Sequence, residues 1–467
     1  MVGALYQKAT RHPLANAALH LRSCYSNFIK TKIEIAAQSR LNDKRPRNVN
    51  RTFLSCSLAC FISFSCFAGD WPQWLGPTRN NHAGSDEKEL VKLPAVLKPV
   101  WKIKIGGGFS SPIVSSNRLI YYDENGEMEV AHQLDAATGK EIWQTPITGR
   151  FGDEWGAGPR STPFVDGDRV YVQSCSGEFR CLNLADGKIV WATSFEKDFG
   201  VKFLGNKADE GTAARRGNNG SGLVHGNAVI LPVGSPSGAT LVCFDKLDGK
   251  VLWKAGNDEA AYSSPQVATF TGLEQIVYFA ADALLGVERQ SGKQLWRVPV
   301  KTFAKRHAAT PVVSGDNVFI NSHTVGLICE KISKQGEQWV AAQSWVNKDV
   351  KINLSTPVLV GDFFYSQGPA KNFVCVDAKT GALKWQQPGF GRQNSATIAV
   401  GDKLLVLTDD GELVLILATP EKYTELGRAQ VCGKNWNFPA YADGKLYVRD
   451  AHELACYDLH LDSPVQQ

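Results

Sequence analysis

One step recurs along this chain at a nearly constant interval: a Ser/Thr-Pro pair opening a short apolar strand. It stands at Ser111/Pro112, Thr162/Pro163, Ser264/Pro265, Thr310/Pro311 and Thr356/Pro357, with degenerate copies at Gly222/Leu223, Ala396/Thr397 and Phe438/Pro439. The second residues of these eight copies lie 51, 60, 42, 46, 46, 40 and 42 residues apart. A period of this length marks a supersecondary unit that cannot bury both of its faces alone and must stack on its neighbours.

Each copy continues through a Gly-Asp or Gly-Asn turn into a second apolar strand, as at Gly167, Asp168 and again at Gly315, Asp316, so the unit begins as a hairpin. A third strand then ends in an acidic or amide residue, a Gly-Lys turn follows, and a Trp comes eight residues after the acid or amide: Asp135 to Trp143, Asn183 to Trp191, Asp245 to Trp253, Glu288 to Trp296 and Asp377 to Trp385. Asp accepts backbone N–H groups in a tight turn, Gly takes the positive φ, and Trp supplies a large apolar face to lie between adjacent units. Copy seven carries Leu426 in place of the Trp, and copy eight runs out of chain before its closing strand. The segment around Trp101 is a closing strand with no opening copy before it, which predicts that it completes the last unit. The expected fold is all-β: an eight-bladed β-propeller of four-stranded antiparallel blades, closed by an N-terminal strand, with docking tryptophans Trp101, Trp143, Trp191, Trp253, Trp296 and Trp385. Seven blades would follow instead if copy seven or eight packed irregularly.

The formal charge of +5 is misleading, because residues 1–51 carry ten Lys/Arg against Glu34 and Asp43, and the rest holds 41 basic and 44 acidic residues, a net of about −3. Nucleic-acid binding thereby loses its compositional support. Arg45, Arg47 and Arg51 precede an apolar run over 53–68 that ends in Cys66, Phe67 and Ala68 before Gly69, the pattern of a secretory signal with a small-x-small cleavage site. The alternative is a short buried strand or helix. Cys60 and Cys66 lack the Leu three residues earlier that favours a lipid anchor. The expected organisation is an extension and signal over 1–68, a lead-in over 69–98, the propeller over 99–460 and a tail over 461–467, in an exported, monomeric protein of the periplasm or exterior.

Seven cysteines follow residue 68. Cys181, Cys243, Cys375 and Cys456 each precede the residue that ends a third strand by two positions, so they fall in different blades and read as small buried hydrophobes; Cys175 and Cys181 are the pair left open as a disulfide. The histidines are scattered among blades, and no metal site is expected.

Propellers bind ligands over the central channel, on the face formed by the segments entering the innermost strands. Here those segments carry Phe109, Arg160, Asn218, Asn219, Tyr262, His307, Asn353, Asn394, Trp436 and Asn437. Arg and His suit an anionic carboxylate, and Asn oxygens suit a hard cation; the same groups would otherwise hold loop backbone around a water-filled channel. Two long connections, 150–160 with Asp153, Glu154 and Trp155, and 197–219 with Arg215 and Arg216, break the rhythm, and both read as solvated loops.

The unit Asp-x-x-Thr-Gly-Lys-x-x-Trp, seen at Asp135 to Trp143, resembles the pyrroloquinoline-quinone-like (PQQ-like) repeat over residues 70–460, and the opening Asp70, Trp71, Pro72, Gln73, Trp74 is similar to the start of exported bacterial members. The resemblance implies one of two functions. The first is a non-catalytic scaffold of the BamB-like type, binding a protein, an envelope component or a small ligand, with no cofactor. The second is a PQQ- and Ca²⁺-dependent dehydrogenase of alcohols or sugars, which would be expected to use adjacent cysteines against the quinone. Adjacent cysteines are absent, as is the Cys-x-x-Cys-His of haem attachment, so the scaffold is the expected reading.

Overall fold

The structure, a computed structural model, describes residues 69–203, 216–302 and 305–460. These form eight four-stranded antiparallel sheets and one two-stranded hairpin. Blade one is Ile113–Ser115, Arg118–Asn125, Met128–Asp135 and Glu141–Gly149, and six more blades repeat that order. Blade eight pairs Ala440–Ala442, Lys445–Arg449 and Glu453–Asp458 with Trp101–Lys104, so the N-terminal strand closes the ring as the repeat predicted. The signal over 53–68 and the tail over 461–467 lie outside the described residues.

The cores lie between blades. Val229, Leu231 and Phe244 of blade three pack with Tyr171, Phe179 and Trp191 of blade two, and equivalent clusters join each later pair. Two further clusters join blades one and two, and blades seven, eight and one. The tryptophans make the joints. Indole N–H groups of Trp101, Trp143, Trp191 and Trp253 donate to Ala136, Leu184, Lys246 and Arg289 carbonyls in the next blade at 2.9–3.0 Å. Beneath each ring is the turn glycine of that next blade: Gly139, Gly187, Gly249 and Gly292 have φ of 69–74°, and a Cβ there would stand 2.6–2.8 Å from indole carbons or, at Gly187, from Thr145 Oγ1 as well. The glycine is required twice, by its backbone and by the ring above it.

Two devices aim the Trp. In seven blades the outer strand shifts register one residue before the docking position, as where Cys181 pairs with Trp191 but Leu182 with Ile189. Such a bulge twists the strand and turns the next side chain toward the neighbouring blade. In five blades a cysteine stands across from the Trp: Cys181, Cys243, Cys329, Cys375 and Cys456 pair directly with Trp191, Trp253, Trp345, Trp385 and Trp101. All seven described cysteines are free thiols, including Cys175 and Cys181.

Three places depart from the sequence pattern. Trp345 docks on blade six through Ala378 O (3.2 Å) although blade five lacks the Gly-Lys turn, which is replaced by the long hairpin Gly326–Gln335 and Gln338–Asn347. Trp296 therefore has no turn to reach and donates to Gln275 Oε1 of its own blade (2.7 Å). In blade seven it is Gly427, not Leu426, that occupies the Trp register, opposite Leu415; Leu426 is the bulge residue, and Leu93 of the lead-in lies against Gly427.

The lead-in crosses the channel below its mouth and touches every blade. Trp71 bridges Val114, Pro72 O accepts from Val165 N, Trp74 Nε1 donates to Thr310 Oγ1, and Ala399 exchanges backbone bonds with Asn81 and Ala83. The Arg79 guanidinium, 5% exposed, donates to Gly222, Ser221 and Pro265 carbonyls. Asn81 and His82 reach Thr356 and Leu359 carbonyls, and Glu87 accepts from Asp443 and Gly444 N–H groups.

Candidate functional site

The entry segments of the eight innermost strands converge on a cavity of about 180 Å³ at the channel mouth. Its lining changes character around the ring. Blades eight and one supply an aromatic wall: Phe109 stacks on Trp436 with centroids 5.5 Å apart, and Trp155 lies tilted against Trp436, also at 5.5 Å. Blades two to four supply Arg160, Arg216, Asn219 and Tyr262, and blades five to seven Arg306, Asn353, Gln393 and Asn394. Trp74, against Phe438 at 4.7 Å, also lines the cavity from the lead-in.

The arginines are set by distinct means. Arg160 grips Asp153 Oδ1 and Oδ2 at 2.5 and 2.9 Å, and its guanidinium lies 5.3 Å from the Phe109 ring centre. Arg216 pairs with Glu154 and lies 5.7 Å from Trp155. Arg306 donates to Asn353 Oδ1 at 3.1 Å, its Nε is buried without a partner, and among the described residues no carboxylate lies within ion-pair distance of it. The Tyr262 hydroxyl is pushed up to about 12 by burial, against the pull of Arg216, Arg160 and Arg306, so it remains a neutral donor. A side cavity that shares Trp155 and Trp436 adds Arg392 and Lys434 to the cationic rim.

Of the residues anticipated from sequence, Phe109, Arg160, Asn219, Tyr262, Asn353, Asn394 and Trp436 meet in the cavity lining, while Asn218, His307 and Asn437 are buried outside it. Asn218 is held between Gln173 and the Pro232 carbonyl. His307 stacks on Phe279 at 4.0 Å with its ring nitrogens on Ala280 O and Thr302 Oγ1, and burial lowers it to about 4; it is a neutral spacer. The reading of 150–160 as a solvated loop is overturned. Gly152–Asp153 pairs with Gly156–Ala157, the Asp153 side chain is 0% exposed under Arg160, and the hairpin carries Trp155 over the mouth. Of 197–219, residues 204–215 are outside the described structure, while Arg216 and Asn219 enter the lining. Arg306, Trp74 and Gln393 escaped notice because they lie one or two residues from the anticipated positions, or in a lead-in whose path no repeat specifies.

The family described as outer membrane protein assembly factor BamB matches residues 126–387. The chain belongs to that family. The BamB of Yersinia pestis is 22% identical over 319 residues, covering 67% of this chain and 76% of its own, and that of Alkalilimnicola ehrlichii 30% over 88 residues, 18% and 22%. Among solved structures, BamB from Moraxella catarrhalis superposes with a TM-score of 0.54 at 14% identity (78% of this chain, 100% of that one). A quinohemoprotein alcohol dehydrogenase from Pseudomonas putida HK5 does so with 0.57 at 11% (86% and 81%). Identities this low speak to fold alone, and the fold is shared by a protein named as an assembly factor and by one named as a dehydrogenase.

The donor chemistry separates those two uses. A Ca²⁺ site needs several oxygen ligands, carboxylates among them, at 2.3–2.6 Å, roughly. Here Asp153 is already clasped by Arg160, three guanidinium groups face the cavity, and among the described residues no three His, Cys, Asp or Glu side chains converge. The aromatic rings also lie on one another along one wall, so they offer a single platform and not a slot for a flat quinone. The residues do not offer the free carboxylate set that a Ca²⁺-quinone pair needs.

Proposed function

We propose that this chain is an extracytoplasmic, non-catalytic binding propeller that captures a partner bearing an anionic group at the channel mouth. The observation that carries this reading is Arg306, a cavity-lining guanidinium whose recorded side-chain partner is an amide and whose Nε is buried without one. A half-buried cation without a carboxylate partner is one that an anionic ligand would complete. Membership of the BamB family supports a role as an interaction scaffold, since the matched relatives are named as assembly factors of outer membrane proteins. Export rests on the signal-like segment over 53–68.

The experiment is a thermal-shift and dye-reduction titration of the full chain with PQQ plus Ca²⁺, set beside one with organic polyanions, using a panel of alcohols and aldoses as substrates. The proposal expects stabilisation by polyanions without Ca²⁺ and no dye turnover. Ca²⁺-dependent quinone binding with turnover would replace it with the dehydrogenase.

A further inference from the structure

Resting on the reading of the mouth as an anion site, the arrangement of its walls points to an acidic saccharide, a sugar ring bearing a carboxylate or sulfate, as the ligand class. Three observations carry this. First, the aromatic wall is one-sided. Phe109 and Trp155 both pack on Trp436, so what the cavity meets is a single apolar platform, 48% exposed at Trp155. A ring with an apolar C–H face and a hydroxylated edge uses one such platform and turns its edge to the opposite wall.

Second, the opposite wall is built for hydroxyl groups. Asn219 and Asn353 line it with the Tyr262 hydroxyl, and Gln393 and Asn394 of blade seven flank it beside the aromatic wall. Amides both donate and accept, as sugar hydroxyls do, whereas a peptide carboxylate only accepts and would call for donors alone. Among the described residues the exposed Gln393 side chain makes no hydrogen bond, and Asn394 accepts from Ser355 Oγ at its Oδ1 while its amide N–H groups make none.

Third, charge and size agree. Arg306 stands across the channel from the aromatic wall, in blade five against blades eight and one, and supplies a planar fork for an oxyanion. The mouth concentrates cations on a propeller whose residues beyond 51 carry a net charge of about −3. The cavity of about 180 Å³ closes on Trp74, so it takes a chain end or a single ring and not a threaded strand. A cavity of roughly 150 Å³ already admits benzene.

The test is isothermal titration of the full chain with oligogalacturonate, with the same oligosaccharide after reduction of its carboxylates, and with oligoglutamate of matched charge. The inference expects saturable, salt-sensitive binding of oligogalacturonate, little of the reduced form, and none of oligoglutamate. Arg306→Gln should weaken oligogalacturonate binding roughly ten- to hundredfold, and Gln393→Ala, at the solvent side of the mouth, should weaken it less while the melting temperature is unchanged. Binding of oligoglutamate as tight as that of the saccharide overturns the saccharide assignment but leaves the anion site standing. Failure of both anions, oligogalacturonate and oligoglutamate, overturns both, and binding that survives Arg306→Gln in a folded protein overturns the site.

Discussion

Trp101 and Cys456 are direct cross-strand partners in blade eight, although they come from opposite ends of the described chain. The indole of Trp101 then reaches out of the blade to Ala136 O and lies on Gly139 of blade one, so one residue both completes the last sheet and joins it to the first. Replacing it, Trp101→Ala, removes that contact and a hydrogen bond. Truncating a core Trp costs about 3–5 kcal/mol, and the half-buried position puts the expectation at the lower end of that range. Urea unfolding measures it; a loss below about 0.5 kcal/mol, the scale of a surface substitution, would mean the ring does not close through Trp101.

The Cys-Trp pairing makes a chemical prediction. Burial pushes the thiols of Cys181 and Cys375 up to about 12 and those of Cys243 and Cys456 up to about 11, and all four are buried behind an indole. Thiolate is the reactive form, so native protein should resist alkylation at mildly alkaline pH and label at these positions only after unfolding. Peptide mapping after iodoacetamide treatment reads this directly. A peptide linking Cys175 to Cys181 in the non-reduced digest would contradict the free thiols.

Blade number and ring closure were legible because they rest on spacing: eight openings, and a Trp at a fixed distance from a turn whose glycine both bends the chain and receives the ring. What was not legible follows from the same physics. Blade five builds its outer strands from a hairpin without the Gly-Lys turn, so Trp345 had no turn motif beside it and Trp296 no turn to meet. In the mouth, residue type identified Arg160 and Trp436 but could not tell which of two neighbours faces inward: Arg306 lines the cavity and His307 is packed on Phe279. The hairpin around Asp153 was missed because the ion pair that folds it joins it to Arg160 in three dimensions.

The joint between blades one and eight should also respond to pH. His132 is buried and stacked on Tyr121, with Nε2 3.1 Å from Asp123 Oδ1 and Nδ1 2.8 Å from Glu141 Oε2. Asp123 also accepts from Gly106 N, whose carbonyl takes a bond from the buried Arg449 of blade eight. Burial alone would lower the His132 imidazole, but Asp123 and then Glu141 outweigh it and hold it above its ordinary value of 6.5. A group raised in the folded state contributes fully below its unfolded value and loses that contribution as pH climbs through the folded one. The melting temperature should therefore fall as pH rises above about 6.5, and His132→Gln should be less stable at low pH and flatter across the range. Calorimetry of both proteins over that range is the measurement; parallel curves would show that His132 does not carry the charge.

The lead-in across the channel, which acts as a plug, makes the sharpest demand on a single side chain. Arg79 places one guanidinium on three carbonyls of blades three and four, while its own carbonyl accepts from Gln266 Nε2. Arg79→Met keeps the stem and removes a buried charge, which by itself is favourable, but it strands those carbonyls where water does not reach. At about 1–3 kcal/mol for each buried group left unpaired, the losses exceed the gain, and a net destabilisation of about 2–4 kcal/mol is expected. Arg79→Lys should recover little of it, because a point ammonium cannot span three acceptors fixed by two different blades. Since Trp74 is held on the same segment, a loosened plug should also raise the fluorescence quenching of its indole by acrylamide. Quenching that stays at the wild-type level in a destabilised Arg79→Met protein would separate the ring's stability from the closure of its channel.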